Sequence, residues 1–296
     1  MAATENEALS PRKNRHWPRR VAIALAIAIV AGGAGFFAYF NDCYHANETV
    51  DQYFAAWGND SGNADGEAAN AESDTGDSSR IESSTTDAPT LANENSKAGV
   101  QRTVTESDSF IAVGSPASEY GLVFYPGAKV EPAAYVPLLE KIADKGVYCV
   151  MAKMPFNFAF FNVNAADALM ADAPAVKHWW IGGHSLGGVV AATYTADHAD
   201  KLEGIALLAA YSTEDLNVGS LRAIVLYGSN DLVVNRENLA KCAENLPEGS
   251  QTVVIEGGNH ASFGDYGAQE GDGEATISAE EQRAITADAI AKAIKG

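Results

Sequence analysis

In the stretch Ile181-Gly182-Gly183-His184-Ser185-Leu186-Gly187-Gly188, an apolar run gives way to glycines that bracket a serine. Residues 179–182 (WWIG) read as a strand, and residues 186–197 read as a helix. Ser185 therefore sits in G-x-S-x-G on a tight strand-to-helix turn, with Gly183 and Gly187 leaving room for neighbouring backbone. Such a turn lifts the hydroxyl above a sheet, and the helix N-terminus behind it favours developing negative charge. The bland alternative is a Gly-rich turn with an incidental serine. The strand before and the helix after favour a nucleophile.

Working outward, strands alternate with helices. Residues 100–105 and 110–113 form a predicted hairpin around residues 106–109. Strands follow at 122–125 (LVFY), 147–152 (VYCVMA), 205–209, 223–227 (AIVLY) and 252–255 (TVVI). Helices are expected at 133–144, 165–171, 236–245 and 279–294. Continuous apolar strands between helices imply an α/β fold: a mostly parallel central sheet with helices on both faces. No GxGxxG follows the first strand and no GxxxxGK[ST] occurs, so nucleotide binding lacks a motif.

Charge divides the chain of 296 residues, net −19, into four materials. Residues 1–20 carry +3, residues 21–40 none, residues 41–100 −10 and residues 101–296 −12. The acidic balance argues against nucleic acid as a partner, because that needs a basic stripe to displace counterions. Cys43, Cys149 and Cys242 are too scattered for a disulfide scaffold or a zinc cluster, so no metal or other cofactor is expected.

The run from Val21 to Phe40 has no charge over twenty residues, enough to span a bilayer core of about 30 Å. It reads as an uncleaved anchor more readily than as a cleaved signal, whose apolar region is shorter. The basic tail of residues 1–20 would stay in the cytoplasm. The expectation is a single-pass protein of the cell membrane, with the lipid bilayer as partner and the catalytic domain extracytoplasmic. Residues 41–100 read as an acidic low-complexity linker, about 40–45 Å in r.m.s. span if flexible. Its short apolar pieces near Tyr53 and Trp57 would lie against the membrane or the folded domain. Asn47-Glu48-Thr49 and Asn59-Asp60-Ser61 are formal glycosylation sequons. The folded domain is expected over residues 101–296.

Within that domain the chain resembles the α/β-hydrolase superfamily. The Gly183-His184-Ser185-Leu186-Gly187-Gly188 elbow is similar to that of its serine esterases and lipases. The nearest likeness is to bacterial serine hydrolases that are dienelactone-hydrolase-like in shape. It is carried by Tyr125-Pro126-Gly127 and by Gly257-Gly258-Asn259-His260 followed by Gly264-Asp265-Tyr266-Gly267.

The superfamily order is nucleophile, acid, histidine. After the strand at 223–227 comes Ser229-Asn230-Asp231, which makes Asp231 the candidate acid. After the last strand comes His260, the candidate base. Asp231 would hold the imidazole in one tautomer, and His260 would take the Ser185 proton. Asp215, after the strand at 205–209, is the alternative acid. His16, His45, His178 and His198 lie away from a late loop, and His184 precedes the serine. Asp265 reads as a turn residue.

The resemblance implies an oxyanion hole from the amide of Leu186 and one from the loop after residues 122–125. Ala128 is the choice there, with Lys129 second. Pro126 stands where the family's His-Gly-x motif has its histidine.

Phe156, Phe158, Phe160 and Phe161 follow the strand at 147–152, on the side of the sheet where such folds bind ligands. They read either as a satellite core or as a substrate wall for an acyl or aryl group. Between the strands at 205–209 and 223–227 there is no room for a separate lid domain. The expected function is a serine hydrolase acting on small carboxylic esters. The alternatives are a thioesterase or peptidase with the same triad, or a non-catalytic module that keeps the fold for binding.

Overall fold

The computed structural model describes residues 42–58 and 104–296. From Tyr44 onward the described residues belong to one compact unit. Eight strands form one sheet among them: β1 (Val104–Glu106), β2 (Phe110–Val113), β3 (Tyr120–Tyr125), β4 (Val147–Ala152), β5 (His178–His184), β6 (Gly204–Leu208), β7 (Arg222–Gly228) and β8 (Gln251–Ile255). Their order is β1-β2-β4-β3-β5-β6-β7-β8. The β1–β2 hairpin joins β4 antiparallel, and every other pairing is parallel.

The apolar strands are continuous because both faces are covered. Alternate side chains go to opposite faces of a strand. Leu122 and Phe124 of β3 enter one core, with Trp180 of β5. Val123 and Tyr125 enter the other, with Trp179 and Ile181. The first core is closed by α2 (Val136–Ala143) and α6 (Ala279–Lys295), through Leu138, Leu139, Ile142, Ile290 and Ile294. The second is closed by α3 (Ala165–Ala171) and α4 (Leu186–His198), through Leu169, Val190 and Tyr194.

Most predicted elements recur within a residue or two. The helix expected at 133–144 splits into a 3₁₀ turn, Pro132–Tyr135, and α2. Prolines at 132 and 137 account for this, since each lacks an amide donor and is tolerated only in a first turn. The helix expected at 236–245 is α5 (Arg236–Lys241), continued as a 3₁₀ turn, Cys242–Asn245. The chain crosses from β3 to β4 on one side and returns to β5 on the other. That reversal opens a crevice at the carboxyl ends of β3 and β5, the usual ligand position of an open α/β sheet. The β6–β7 connection contains no helix or strand, so no lid domain covers the crevice from there.

The domain takes in part of the segment read as linker. Tyr44 forms a parallel bridge with Val130, Val50 is buried, and Tyr53 and Phe54 of α1 (Asp51–Gly58) pack on the first core.

The expected membrane placement is corrected. Among the described residues no helix is long and apolar enough to cross a membrane. The longest, α6, has 17 residues and carries Glu280, Glu281, Lys292 and Lys295 at its ends, as a surface helix does. The run from Val21 to Phe40, on which the expectation rested, lies outside the described residues. The single-pass location and the bilayer as partner are therefore withdrawn.

Candidate active site

Ser185 links β5 to α4 with φ 52° and ψ −127°, a conformation a side-chain-bearing residue adopts only when its surroundings hold it. Its amide donates to Leu208 O of β6 (2.9 Å), and its carbonyl accepts from Gly188 N (3.0 Å). Gly187 shows why the turn is glycine-rich. A Cβ there would lie 2.2 Å from Pro126 O and 2.3 Å from Tyr125 O. The first turn of α4 is thus pressed against the backbone leaving β3.

Asp231 follows β7, and His260 follows β8. Both are buried, and His260 Nδ1 donates to Asp231 Oδ2 across 2.9 Å. Asp231 Oδ1 accepts the amides of Val233 (2.9 Å) and Val234 (2.8 Å). A buried carboxylate without such donors would be costly to ionise. His260 Nε2 is buried and makes no hydrogen bond to protein. Ser185 and His260 line one cavity of about 240 Å³, with Leu186, Val189, Tyr211, Val233 and Val234 among its walls.

The alternative acid is elsewhere engaged: Asp215 is exposed and accepts the amide of Asn217 (2.9 Å). His178 pairs with Glu203, His198 Nδ1 bonds Tyr194 O (3.0 Å), and His45 faces Glu131 (3.5 Å). His16 lies outside the described residues.

Leu186 opens α4, where a first-turn amide has no intrahelical acceptor. In the loop after β3, Gly127 N donates to Tyr135 Oη (3.1 Å) and Lys129 N to Asn157 O (2.8 Å). The second choice of oxyanion donor, Lys129, is therefore already committed. Ala128 lies between these two engaged amides.

The four phenylalanines are not among the residues lining the cavity. Phe158 is buried, while Phe156, Phe160 and Phe161 are 43–50% exposed. They stack mainly on one another, with centroids 4.3 Å apart for Phe160 and Phe161. Their loop turns sharply, with Phe156 and Asn157 at φ 54° and 57°. The apolar wall of the cavity comes instead from Val189, Val233 and Val234.

Several supporting residues carry no signal in the sequence. Asp272 accepts the amides of His260 (3.2 Å), Ala261 (2.9 Å) and Gly273 (2.8 Å). Gln282 of α6 grips Asn259 at both ends, Oε1 from N (2.9 Å) and Nε2 to O (2.8 Å). Arg236 donates to Gly228 O (3.0 Å) and Ser229 O (2.7 Å), holding the acid loop. Asp265, read as a turn residue, clasps the N-terminal segment by accepting from Asn47 Nδ2 (2.8 Å) and Thr49 Oγ1 (2.7 Å).

His184 is buried beside His260, with ring centroids 4.5 Å apart. Burial, and then the neighbouring His260, push its pKa well below the ordinary value, so it is neutral. Among the described residues no group of three or more His, Cys, Asp or Glu side chains could hold a metal ion.

Residues 121–284 match the alpha/beta hydrolase family. This chain belongs to that family. Solved structures of similar fold include Est1E from Butyrivibrio proteoclasticus, at 14% identity and TM-score 0.48, covering 66% of this chain and 99% of that one. A monoacylglycerol lipase of Paleococcus ferrophilus matches at 13% identity and TM-score 0.49, covering 63% of this chain and 99% of that one. A dienelactone hydrolase from Anabaena variabilis matches at 15% identity and TM-score 0.47, covering 66% and 97%. No curated protein matches the chain.

Proposed function

We propose that this chain is a serine hydrolase that cleaves small carboxylic esters through an acyl-enzyme, with Ser185, His260 and Asp231 as its triad. The observation that carries the reading is the 2.9 Å bond from buried His260 to buried Asp231, with His260 lining the same cavity as Ser185. Ser185 Oγ attacks the ester carbonyl while His260 Nε2 takes its proton. Asp231 stabilises the imidazolium. The amides of Leu186 and Ala128 receive the oxyanion. Collapse expels the alcohol, which leaves with the proton from His260. Water then attacks the acyl-enzyme, gives its proton to His260, and Ser185 regains it as the acid departs.

The cavity of about 240 Å³ is small and partly apolar, which favours short acyl groups. The exposed phenylalanines are a candidate flank for a larger alcohol portion. The test is labelling by a fluorophosphonate probe. Wild type should label, and Ser185→Ala should not; labelling that survives the substitution refutes the nucleophile. A panel of esters, thioesters and amides with one acyl group separates esterase from thioesterase or peptidase. A chain that neither labels nor turns over any of them is a binding module.

A further inference from the structure

Two buried polar side chains, Tyr135 and His184, touch both halves of the crevice. Tyr135 ends the 3₁₀ turn that follows the oxyanion loop and is fully buried. Its hydroxyl accepts the Gly127 amide (3.1 Å) and lies 2.8 Å from His184 Nδ1. Burial pushes the Tyr135 pKa far up, so the hydroxyl keeps its proton. With the Gly127 N–H pointing in, that proton goes to His184 Nδ1. The neutral imidazole then carries its hydrogen on Nε2. The hydrogen bonds run one way: Gly127 N–H to Tyr135 Oη, Tyr135 O–H to His184 Nδ1.

The two ends of this relay matter. His184 is covalently joined to Ser185. Gly127 is covalently joined to Ala128. The packing leaves no slack: a Cβ on Gly127 would lie 2.8 Å from Tyr135 Oη and 3.0 Å from His184 Nδ1. Phe124 and Tyr266 hold the Tyr135 ring, with centroids 5.2 and 6.4 Å away.

We propose that Tyr135 and His184 are positioning residues, which hold the oxyanion loop at Gly127 and Ala128 in register with the Ser185 elbow. They touch no substrate. They act by fixing where the Ala128 amide stands relative to the nucleophile, a distance on which transition-state stabilisation depends steeply. This rests on the serine-hydrolase reading above.

The experiment compares wild type, Tyr135→Phe, His184→Ala and His184→Asn on 4-nitrophenyl acetate and butyrate, with inhibition by an alkyl trifluoromethyl ketone. Tyr135→Phe keeps the ring and deletes the hydroxyl. His184→Asn keeps an acceptor near the Nδ1 position, and His184→Ala does not. Tyr135→Phe and His184→Ala should lose about 10- to 100-fold in kcat with KM within about twofold, a fraction of the loss on deleting an oxyanion donor outright. Affinity for the ketone, which mimics the tetrahedral adduct, should fall in step with kcat. His184→Asn should recover most of the loss. Wild-type kcat in Tyr135→Phe overturns the proposal. So does a kcat loss without a matching loss of ketone affinity, or equal loss in His184→Ala and His184→Asn. If wild type is neither labelled by fluorophosphonate nor active, the serine-hydrolase reading has failed instead.

Discussion

His260 Nδ1 stands 2.9 Å from Asp231 Oδ2, and both side chains are buried. The pair joins the loops after β7 and β8, whose strands are parallel neighbours. Asp231 spends its other oxygen on the amides of Val233 and Val234, so its carboxylate orients a histidine and folds its own loop.

Those two tasks should separate by substitution. Asp231→Asn removes the charge but keeps an oxygen for the loop amides. Its kcat should fall by about 10³–10⁴, as when a triad acid is neutralised and the wrong tautomer results. Asp231→Ala should lose similar activity and a further ~1–3 kcal/mol of stability, from buried amides left without acceptors. Equal urea midpoints for the two variants would contradict the second task.

Asp272 holds the other side of the histidine loop through the two backbone amides of His260 and Ala261. Asp272→Asn keeps the shape, but its side-chain nitrogen cannot accept, so the Ala261 amide on Oδ2 loses its acceptor and the bonds to the remaining oxygen lose their charge assistance. Stability should fall by about 1–2 kcal/mol and kcat by about tenfold, with His260 mispositioned rather than absent. Steady-state kinetics beside thermal unfolding reads both. Unchanged kcat would reduce Asp272 to a loop staple.

Acid should destabilise the fold partly through His184. In the folded protein its pKa lies well below its ordinary 6.5, while the unfolded chain takes up a proton near that value. The unfolded state then binds more protons, so stability is full above pH 6.5 and declines as pH falls below it, by at most about 1.4 kcal/mol per unit. Asp167, whose pKa is lowered by its bonds to Lys201 and Tyr194, adds a separate loss only at lower pH, below its usual 3.8. Urea midpoints between pH 7 and 5 should slope less in His184→Asn than in wild type. Identical slopes would remove His184 from the account.

Gly187→Ala should damage the elbow directly, because its Cβ would meet carbonyl oxygens of Pro126 and Tyr125 at 2.2–2.3 Å. Backbone must shift, costing about 1–3 kcal/mol and moving the oxyanion loop off Ser185. Gly219→Ala is the contrast. It is strained at φ 58° by about 1–2 kcal/mol but meets nothing within 4 Å, so kcat should stay at the wild-type level. Matching kcat values in the two variants would mean that the elbow contact does not bear on turnover.

Much of this protein is legible from short windows. The elbow declares itself because strand, glycines, serine and helix are neighbours in the chain. Residues 147–152 and 165–171 read as β4 and α3 with no shift in boundary, since apolar spacing follows each element's own period. Asp231 and His260 were reachable through the chain order that the resemblance implies. Asp272 was not, because it sits in an acidic, glycine-rich run with no periodic signal, and its role depends on where that run folds back. The N-terminal piece was half legible: its apolar residues near Tyr53 pack on the folded domain, one of the two places expected for them. Tyr44, Val50 and Phe54 are sparse within a polar segment, and contacts with Val130 and Asp265 bury Val50 and pack the other two on the core.

By itself, the sequence determined the α/β alternation and the tight strand-to-helix turn at Ser185. These are local matters of side-chain period and turn sterics, whereas the positions looked to for an acid and a histidine came from the resemblance. Tertiary structure alone decided that Asp231 and not Asp215 meets His260. It also moved the cavity wall from the phenylalanines to Val189, Val233 and Val234, and it bound Gly127 to His184 through Tyr135. Such contacts join loops that are distant in the chain. The order of strands in the sheet brings them together, and no single window of residues records that order.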